Sequence, residues 1–390
     1  MENIIIKILK EHFPQYEAEH NIASYKIKAV NSMMKCRTIE LGGHVQQCEK
    51  CGHMDVWYNS CKNRSCPQCS DIKKNEWLDK QAEKLLNSDY YHIVFTIPVE
   101  INIFWNHNPE FIINNIFNSA KHSLDYFLKD NKYLGAAPGM IATLHTWGSN
   151  LFLHIHVHFL VSAGGITSKG LWKPHEGKFF IPAKALSIVF RAEFLTKLKK
   201  AAKSKKIKLP GNMNISQIYA LIDSLFNKKW NVHIQEKYSH GKGIISYLAK
   251  YIKGGPINQN RIISYNRKFI KFKYKDYKNR KKNGKPNKKI MTLKVNDFIS
   301  RFLFHIPPPR INTVRYYGLF SPNSIDKLNY VRKLLKQVPI EKPVNLHESE
   351  EIFENRKLCP NCNNIKIVFN NYNSSQLKIL IEKIEKKYPP

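Results

Sequence analysis

Three histidines at alternate positions are the residues of this chain best suited to hold a metal ion. They are His154, His156 and His158. Successive side chains of a β-strand point to opposite faces, so a strand here would carry all three imidazoles on one face and apolar residues on the other. Three neutral imidazoles at this spacing suit one divalent ion and are difficult to satisfy with other partners. The first functional expectation is therefore a metal centre on a strand.

Cysteines form a second set of candidate ligands near the amino terminus. Two Cys-x-x-Cys pairs, Cys48 with Cys51 and Cys66 with Cys69, are separated by fourteen residues. This spacing matches structural zinc sites, in which four thiolates surround the ion tetrahedrally. Residues 42–70 are too short and too poor in large aliphatic side chains to form a hydrophobic core, so a zinc ion is expected to fix their fold.

Further cysteines and histidines accompany these pairs. The candidate substitutes for one member of the quartet are Cys61, His44 and His53. Spacing alone does not choose among them, and Cys36 is expected to be a buried thiol. A third pair, Cys359 with Cys362, has no evident further ligands nearby in the sequence and could instead join the amino-terminal cluster in space.

Two tyrosines four residues apart, Tyr247 and Tyr251, lie in a segment with helical periodicity, which puts both phenols on one helix face. An ordinary amphipathic helix would explain them. However, residues 237–275 contain no Asp or Glu, and their ten Lys and Arg residues are interleaved with aromatic side chains. Basic groups bind phosphates and aromatic rings stack on unpaired bases, which is typical of a single-strand groove. The positions predicted to contact DNA are Lys242, Lys250, Lys253, Arg261, Arg267 and Lys271.

The imidazoles and the tyrosines together could cleave and rejoin DNA. A divalent ion stabilises charge that develops on the oxygens of a phosphodiester. A tyrosine hydroxyl beside it can attack phosphorus, leaving a covalent phosphotyrosine and a free 3′ hydroxyl. The adduct retains the energy of the broken bond, so attack by a 3′ hydroxyl rejoins DNA without a nucleotide cofactor.

A sheet and flanking helices are predicted to position these groups. Strands are expected at residues 90–97, 140–147 and 151–162, and the turn Gly148-Ser149-Asn150 places the histidines in an antiparallel sheet. Apolar periodicity predicts helices at residues 71–88, 109–128 and 183–205. Further strands are expected at residues 230–235, 261–277 and 290–295, followed by a helix at 296–303. The predicted class is α+β.

Composition limits the partners and the compartment. The 390 residues carry a formal charge of +33, which favours a polyanion such as nucleic acid, although a Lys-, Asn- and Ile-rich composition can also reflect the coding sequence. No signal peptide and no apolar run long enough to span a membrane is evident. A cytoplasmic protein, associated with the nucleoid when bound to DNA, is therefore expected. Reducing conditions there make its eight cysteines metal ligands or free thiols.

The sequence resembles the two-tyrosine HUH (His-hydrophobe-His) transposases of rolling-circle insertion sequences, the insertion sequence ninety-one family. The shared motifs, in order, are Cys36-Arg37-Thr38, Leu41-Gly42-Gly43-His44, the cysteine-rich stretch 58–69, Phe95-Thr96-Ile97-Pro98, Leu144-His145-Thr146-Trp147-Gly148, His156-Val157-His158 before Ala163-Gly164-Gly165, Tyr247-Leu248-Ala249-Lys250-Tyr251 and Arg315-Tyr316-Tyr317-Gly318-Leu319. So many motifs in the same order argue against chance similarity. Ser65 departs from the histidine of many relatives, and residues 165–225 match poorly.

The resemblance implies a central antiparallel sheet with flanking helices, an HUH endonuclease-like catalytic domain, and a small amino-terminal zinc-binding domain. The expected division is 1–88 for the helical and zinc-binding domain, 89–335 for the catalytic domain with a basic hairpin, and 336–390 for a linker and the last cysteine pair. It also implies Mg²⁺ or Mn²⁺ on His156 and His158, Zn²⁺ on the cysteines, and nucleophilic Tyr247 and Tyr251. His154-Ile155-His156 fits the same pattern, so the candidates for a third ligand are His154, His145 and His240.

The implied activity is cleavage and rejoining of single-stranded DNA at the ends of an insertion sequence and at its target. Two tyrosines allow two strands, or two ends of one element, to be held in turn. The alternatives are a rolling-circle replication initiator with the same chemistry, a zinc protein that only binds nucleic acid, and a histidine-based metallohydrolase that forms no covalent adduct. The sequence does not indicate an oligomeric state.

Overall fold

A computed structural model describes residues 3–69, 77–78, 80–177, 180–211, 213–235, 237–238, 255–281, 284, 286–340, 358–364 and 366–387. The chain divides into two compact units. One combines Met1–Ser70 with Lys342–Pro390, and the other is Asp71–Glu341. The first unit is therefore built from both ends of the chain.

The first unit combines helices with an antiparallel sheet of three strands. The helices are α1 (Ile4–Glu19), α2 (Ser24–Met34) and α8 (Ser374–Lys387). The strands are β1 (Gly43–Cys48), β2 (Met54–Tyr58) and β12 (Lys366–Tyr372). Strand β1 lies in the middle, and the carboxyl-terminal strand β12 pairs with it antiparallel on the edge away from β2.

The second unit is organised around a larger antiparallel sheet in the order β11-β4-β5-β3-β7, with β6 paired to β5. Its strands are β3 (Tyr90–Thr96), β4 (Ala137–Trp147), β5 (Leu153–Ile166), β6 (Trp172–Pro174), β7 (Asn231–Ile234) and β11 (Val314–Gly318). Its helices are α3 (Pro109–Leu128), α4 (Ala183–Lys203), α5 (Ile215–Asn227), α6 (Val295–Phe304) and α7 (Ile325–Leu334). The predicted α+β fold with a central antiparallel sheet and flanking helices is confirmed.

The main core lies on one face of this sheet. Ile155, Val157 and Phe159 of β5 are buried there together with residues of α3 and α4. The ring of Phe95 from β3 packs edge-to-face against Phe190 of α4 at 5.0 Å between centroids. Side chains alternate along a strand, so β5 presents its histidines on the opposite face, as the sequence predicts.

Part of that opposite face is covered by a smaller apolar cluster. Tyr90, Ile141 and Leu160 are buried there with Leu328 and Val331 of α7. These positions lie at one end of the histidine face, because the register pairs Leu160 with both His92 and Ile141. The other end of the same face carries imidazoles instead of apolar side chains.

A separate antiparallel sheet follows, formed by β8 (Ile262–Tyr265), β9 (Phe269–Arg280) and β10 (Pro286–Lys294) in the order β10-β9-β8. The sequence predicts one strand over residues 261–277, but the structure has a turn inside it. Arg267 adopts a positive φ of 65°, and the Asn266 side chain accepts a hydrogen bond from the Phe269 amide at 2.7 Å. A positive φ interrupts an extended strand.

Two other segments bear on the predictions. Helix α5 was not predicted, although its sequence contains a signal for a helix start: Asn214 and Gln217 form a capping box. The predicted helix with Tyr247 and Tyr251 lies outside the described residues.

In the described part of the chain, no helix has both the length and the apolar character needed to cross a membrane.

Candidate functional site

The central sheet brings three imidazoles together. His156 and His158 lie on β5, and the antiparallel register places His145 of β4 directly opposite His156. One ring nitrogen of each lies within 4.8 Å of the other two. Nε2 of His158 and Nδ1 of His145 are 3.2 Å apart. Two ligands of one ion with metal–nitrogen bonds of about 2.1 Å stand about 3.0–3.4 Å apart, so this arrangement fits a metal centre.

His154 lies on the same face but does not belong to this group. Its side chain is exposed, and its carbonyl accepts a hydrogen bond from Nδ1–H of His156 at 2.8 Å. That bond leaves Nε2 of His156 free to bind a metal. The structure thus groups His145, not His154, with the HUH pair. The reason is that four residues of extended strand, about 13 Å, separate His154 from His158, whereas His145 faces the pair across the ladder.

A fourth histidine orients the ring of His158. Nδ1–H of His92 donates to the Gln235 side-chain oxygen at 2.8 Å, and the Tyr238 hydroxyl donates to the same oxygen at 2.7 Å. Nε2 of a neutral His92 is then an acceptor, and it lies 2.8 Å from Nδ1 of His158. His158 consequently carries its proton on Nδ1 and presents the lone pair of Nε2 towards His145.

Burial keeps these rings neutral. His92 is 2% exposed and His158 is 8% exposed. Burial lowers the pKa of His92 to about 4. It also lowers the pKa values of His156 and His158 well below the usual range, and the neighbouring His145 adds to both shifts. Since a metal binds the neutral imidazole, the site is in a metal-binding protonation state at neutral pH.

Sequence reasoning did not single out His92. One histidine in an apolar strand is usually a core residue satisfied by its neighbours, and only the strand itself was predicted. Alternation puts His92 on the same side of β3 as Val94 and Thr96. The register of β3 on β5, which pairs Val94 with His158 and Thr96 with His156, identifies that side as the histidine face. Sequence periodicity does not give this register.

The cysteines form two groups within the first unit. The first contains Cys36, Cys61, Cys66 and Cys69. The Sγ atom of Cys69 lies 3.4 Å from that of Cys36 and 3.7 Å from that of Cys61. A tetrahedral zinc ion with bonds of about 2.3 Å separates its sulfur ligands by about 3.8 Å, so the four thiols fit zinc. Hydrogen bonds, first from the Cys61 thiol, lower the pKa of Cys36 to about 7, whereas hydrogen bonds within the same group, first from Cys36, raise the pKa values of Cys61 and Cys66. The positions of the four sulfur atoms are therefore what supports zinc.

The quartet expected from the sequence, Cys48 and Cys51 with Cys66 and Cys69, is not brought together. Strand β2 runs back along β1 and pairs Tyr58 with Gly43, so the chain leaves the sheet at the end opposite Cys48. The later cysteines therefore meet Cys36, which precedes β1 and was expected to be a buried thiol. Cys48 and Cys51 instead lie with Cys359 and Cys362.

The basic residues predicted to contact DNA differ in their surroundings. Arg261 is partly buried; its Nε donates to the Lys273 carbonyl at 2.9 Å, and its guanidinium lies over the Phe272 ring at 5.7 Å from the centroid. Arg267 is exposed in the turn between β8 and β9, and Lys271 is exposed on β9. Lys242, Lys250 and Lys253 lie outside the described residues. Two of the six are thus placed on an exposed surface.

Comparisons with known proteins identify two families along the chain. Residues 139–327 match a family described as "Putative transposase", and residues 8–97 match the IS91-type "Transposase zinc-binding domain". The transposase for insertion sequence element IS801 of Pseudomonas savastanoi pv. phaseolicola is 26% identical over 307 residues, covering 78% of this chain and 72% of that protein. "Putative transposase y4qJ" of Sinorhizobium fredii is 30% identical over 372 residues, covering 92% of each chain. The chain belongs to the IS91-family transposases.

The two family matches divide the candidate residues of this transposase. The match to the zinc-binding domain contains the whole first cysteine group but ends before Cys359 and Cys362. The match to the transposase domain contains the three converging histidines and both tyrosines, Tyr247 and Tyr251. His92 falls near the end of the zinc-binding match, although the structure places it beside His158.

Proposed function

We propose that this transposase cleaves and rejoins single-stranded DNA at the ends of its insertion sequence through a 5′-phosphotyrosine intermediate. The observation that supports this most is the group of His145, His156 and His158 on a rigid antiparallel sheet, in a chain of a transposase family. A divalent ion bound there would polarise a phosphodiester and offset the negative charge that develops on its oxygens. Imidazole ligands favour Mn²⁺ over Mg²⁺, which prefers oxygen.

The nucleophile in this proposal is the hydroxyl of Tyr247 or Tyr251. Its oxygen forms a bond to phosphorus, the bond from phosphorus to the 3′ oxygen breaks, and the phenolic proton is lost while the 3′ oxygen gains one. The 5′ end is then attached to the protein. The reverse reaction with another 3′ hydroxyl releases the tyrosine and joins two DNA segments, with no net change in the number of phosphodiester bonds.

Strand β9 supplies a surface suited to single-stranded DNA. Its alternate exposed positions begin with Phe269, which is 41% exposed, and continue through Lys271, Lys273 and Lys275. Alternate residues of a strand lie about 6.8 Å apart, close to the spacing of phosphates along an extended single strand. The register also places Lys288 opposite Lys275, a like-charge pair that an anion would stabilise. We infer that the DNA backbone lies along this row, with bases stacking on exposed aromatic rings.

A covalent-adduct assay tests the proposal. Single-stranded DNA with the element end, labelled on the 3′ side of the cleavage site, is incubated with the transposase and Mn²⁺ and then denatured. The wild-type protein is expected to retain label, and a variant with both Tyr247→Phe and Tyr251→Phe is expected to retain none. Tyr330→Phe removes the hydroxyl of a tyrosine that is 47% exposed on α7 and serves as the matched control.

Two results would contradict this function. If the wild-type protein binds the element end but forms no adduct, the chain acts as a nucleic-acid-binding protein or as a metallohydrolase. If the double tyrosine variant still forms the adduct, a different residue is the nucleophile.

A further inference from the structure

The second cysteine group is assembled from the two ends of the chain. Cys48 is the last residue of β1 and Cys51 lies in the turn after it, whereas Cys359 and Cys362 come from the carboxyl-terminal segment. Partners in this group are therefore 308 and 314 residues apart in sequence. The first cysteine group already contains four ligands. The second group is therefore a complete set of four candidate zinc ligands of its own and does not supply a missing ligand to the first group.

Its geometry is that of a tetrahedral sulfur site. The Sγ atoms of Cys48 and Cys362 are 3.4 Å apart, and those of Cys51 and Cys359 are 3.5 Å apart. All four sulfur atoms lie within 4.8 Å of one another. These separations exceed a disulfide bond of about 2.05 Å and are close to the roughly 3.8 Å between sulfur ligands of zinc.

Both cysteine pairs sit in tight turns of the kind that present two sulfur atoms to one ion. The amide of Gly52 donates to the Cys48 carbonyl at 2.8 Å, and the amide of Asn363 donates to the Cys359 carbonyl at 2.8 Å. Gly52 and Asn363 adopt positive φ values of 72° and 60°. Two turns of the same construction thus face each other across the four sulfur atoms.

The sheet provides independent support for this pairing of chain ends. Strand β12 begins at Lys366, four positions after Cys362, and pairs with β1 from Lys366 opposite Cys48 to Tyr372 opposite Gly43. A Cβ atom on Gly42 would lie 2.3 Å from the Tyr372 carbonyl oxygen, and one on Gly43 would lie 2.3 Å from that of Trp57. The two glycines of the Leu41-Gly42-Gly43-His44 motif are therefore required for the close approach of β12 and β2.

We propose that Cys48, Cys51, Cys359 and Cys362 bind a second zinc ion, which joins the two ends of the transposase into one zinc-binding unit. Neither end supplies more than two ligands, so this site forms only when β12 pairs with β1 and brings Cys359 and Cys362 to Cys48 and Cys51. The zinc-binding unit accordingly extends beyond residues 8–97 and includes the carboxyl-terminal segment.

Metal content of the full-length transposase tests this proposal. Wild-type protein dialysed against a weak chelator, which removes metal from the three imidazoles but not from the thiolates, is expected to hold two zinc ions per chain. Cys362→Ser and Cys61→Ser form a matched pair, because each removes a partly exposed member of one group. Each variant is expected to hold one zinc ion and the double variant none, whereas Cys362→His is expected to restore the second ion. One zinc ion in the wild type, or an unchanged content in Cys362→Ser, would overturn the proposal.

Thiol alkylation of the wild-type protein gives a second readout that does not depend on the folding of a variant. Cys51 is exposed, so an alkylating reagent can reach its sulfur atom when no metal is bound. The proposal predicts that Cys51, Cys359 and Cys362 are protected in the zinc-loaded protein and become labelled after a strong chelator removes zinc. Labelling of these cysteines at the same rate with and without the chelator would refute it.

Discussion

Replacing His92 by Phe tests whether a residue outside the group of His145, His156 and His158 controls the metal affinity proposed for that group. The substitution keeps an aromatic ring to stack on His158, whose ring lies parallel to that of His92 at 5.1 Å between centroids. It removes the Nε2 atom that accepts a hydrogen bond from Nδ1–H of His158. His158 then either buries an unpaired N–H or moves its proton to Nε2, where it blocks metal binding.

The expected size of the effect follows from that one hydrogen bond. An unpaired buried donor costs about 1–3 kcal/mol. Loss of the outer hydrogen-bond partner of a ligating histidine lowers metal affinity by roughly tenfold to a hundredfold, which corresponds to about 1.4–2.7 kcal/mol. The two figures agree, so His92→Phe is expected to raise the Mn²⁺ concentration needed for half-maximal adduct formation by roughly tenfold to a hundredfold.

The assay is a Mn²⁺ titration of adduct formation, with Tyr91→Phe as the matched control. Tyr91 adjoins His92 on β3 but lies on the core face, where its hydroxyl hydrogen-bonds Nδ1 of His175 at 3.0 Å. The control therefore loses a buried hydrogen bond to a histidine without touching the metal group and is expected to titrate like the wild type. Equal Mn²⁺ dependence of His92→Phe and the wild type, or an equal shift in both variants, would refute the role assigned to His92.

Three further predictions concern the ligands, the DNA surface and pH. His145→Ala is expected to weaken Mn²⁺ binding by more than the roughly tenfold to hundredfold that is typical when an outer hydrogen-bond partner is lost, whereas His154→Ala is expected to change it little. Calorimetric titration of both variants with Mn²⁺ measures the two affinities. A larger loss in His154→Ala than in His145→Ala would restore His154 as the third ligand. Alanine at Lys271, Lys273 and Lys275 is expected to reduce the slope of log affinity against log salt for single-stranded DNA by about 2, because each phosphate contact contributes about 0.7. The charge-matched control carries alanine at the exposed positions Lys203, Lys205 and Lys206, and an equal loss of slope there would show that only net charge matters. The pKa of His92 falls from an ordinary 6.5 to about 4 in the folded state, so the unfolded state binds more protons than the folded state between pH 4 and pH 6.5. The free energy of unfolding of the metal-free protein therefore decreases as the pH falls from 6.5 to 4. His92→Gln should remove up to about 3 kcal/mol of this dependence in denaturant titrations, and an unchanged pH slope would contradict the assignment.

Local sequence patterns predicted the parts of this transposase better than their assembly. The alternation of His154, His156 and His158 with apolar residues was enough to predict a strand with a histidine face, and β5 confirms it. The bounds of α3, residues 109–128, were predicted correctly from its apolar stripe. Both features depend on neighbours within a few residues, which periodicity records directly.

The arrangement of the ligands could not be predicted because it depends on pairing between distant segments. The register of β4 on β5 selects His145, and the register of β3 on β5 adds His92. The return of β2 along β1 separates Cys48 from Cys66, and β12 brings Cys359 from the far end of the chain. Spacing in the sequence identified histidines and cysteines as candidate ligands, but these strand pairings determine which of them lie together.

Peptide mapping of the covalent adduct identifies the residue that attacks the DNA. Wild-type transposase is incubated with Mn²⁺ and a single-stranded element end, digested with a protease and a nuclease, and the nucleotide-bearing peptide is sequenced by mass spectrometry. We expect the nucleotide to be attached through its 5′ phosphate to Tyr247 or Tyr251, and we expect His145→Ala and His156→Ala each to prevent the attachment. Attachment at another residue, or undiminished attachment in both histidine variants, would contradict it.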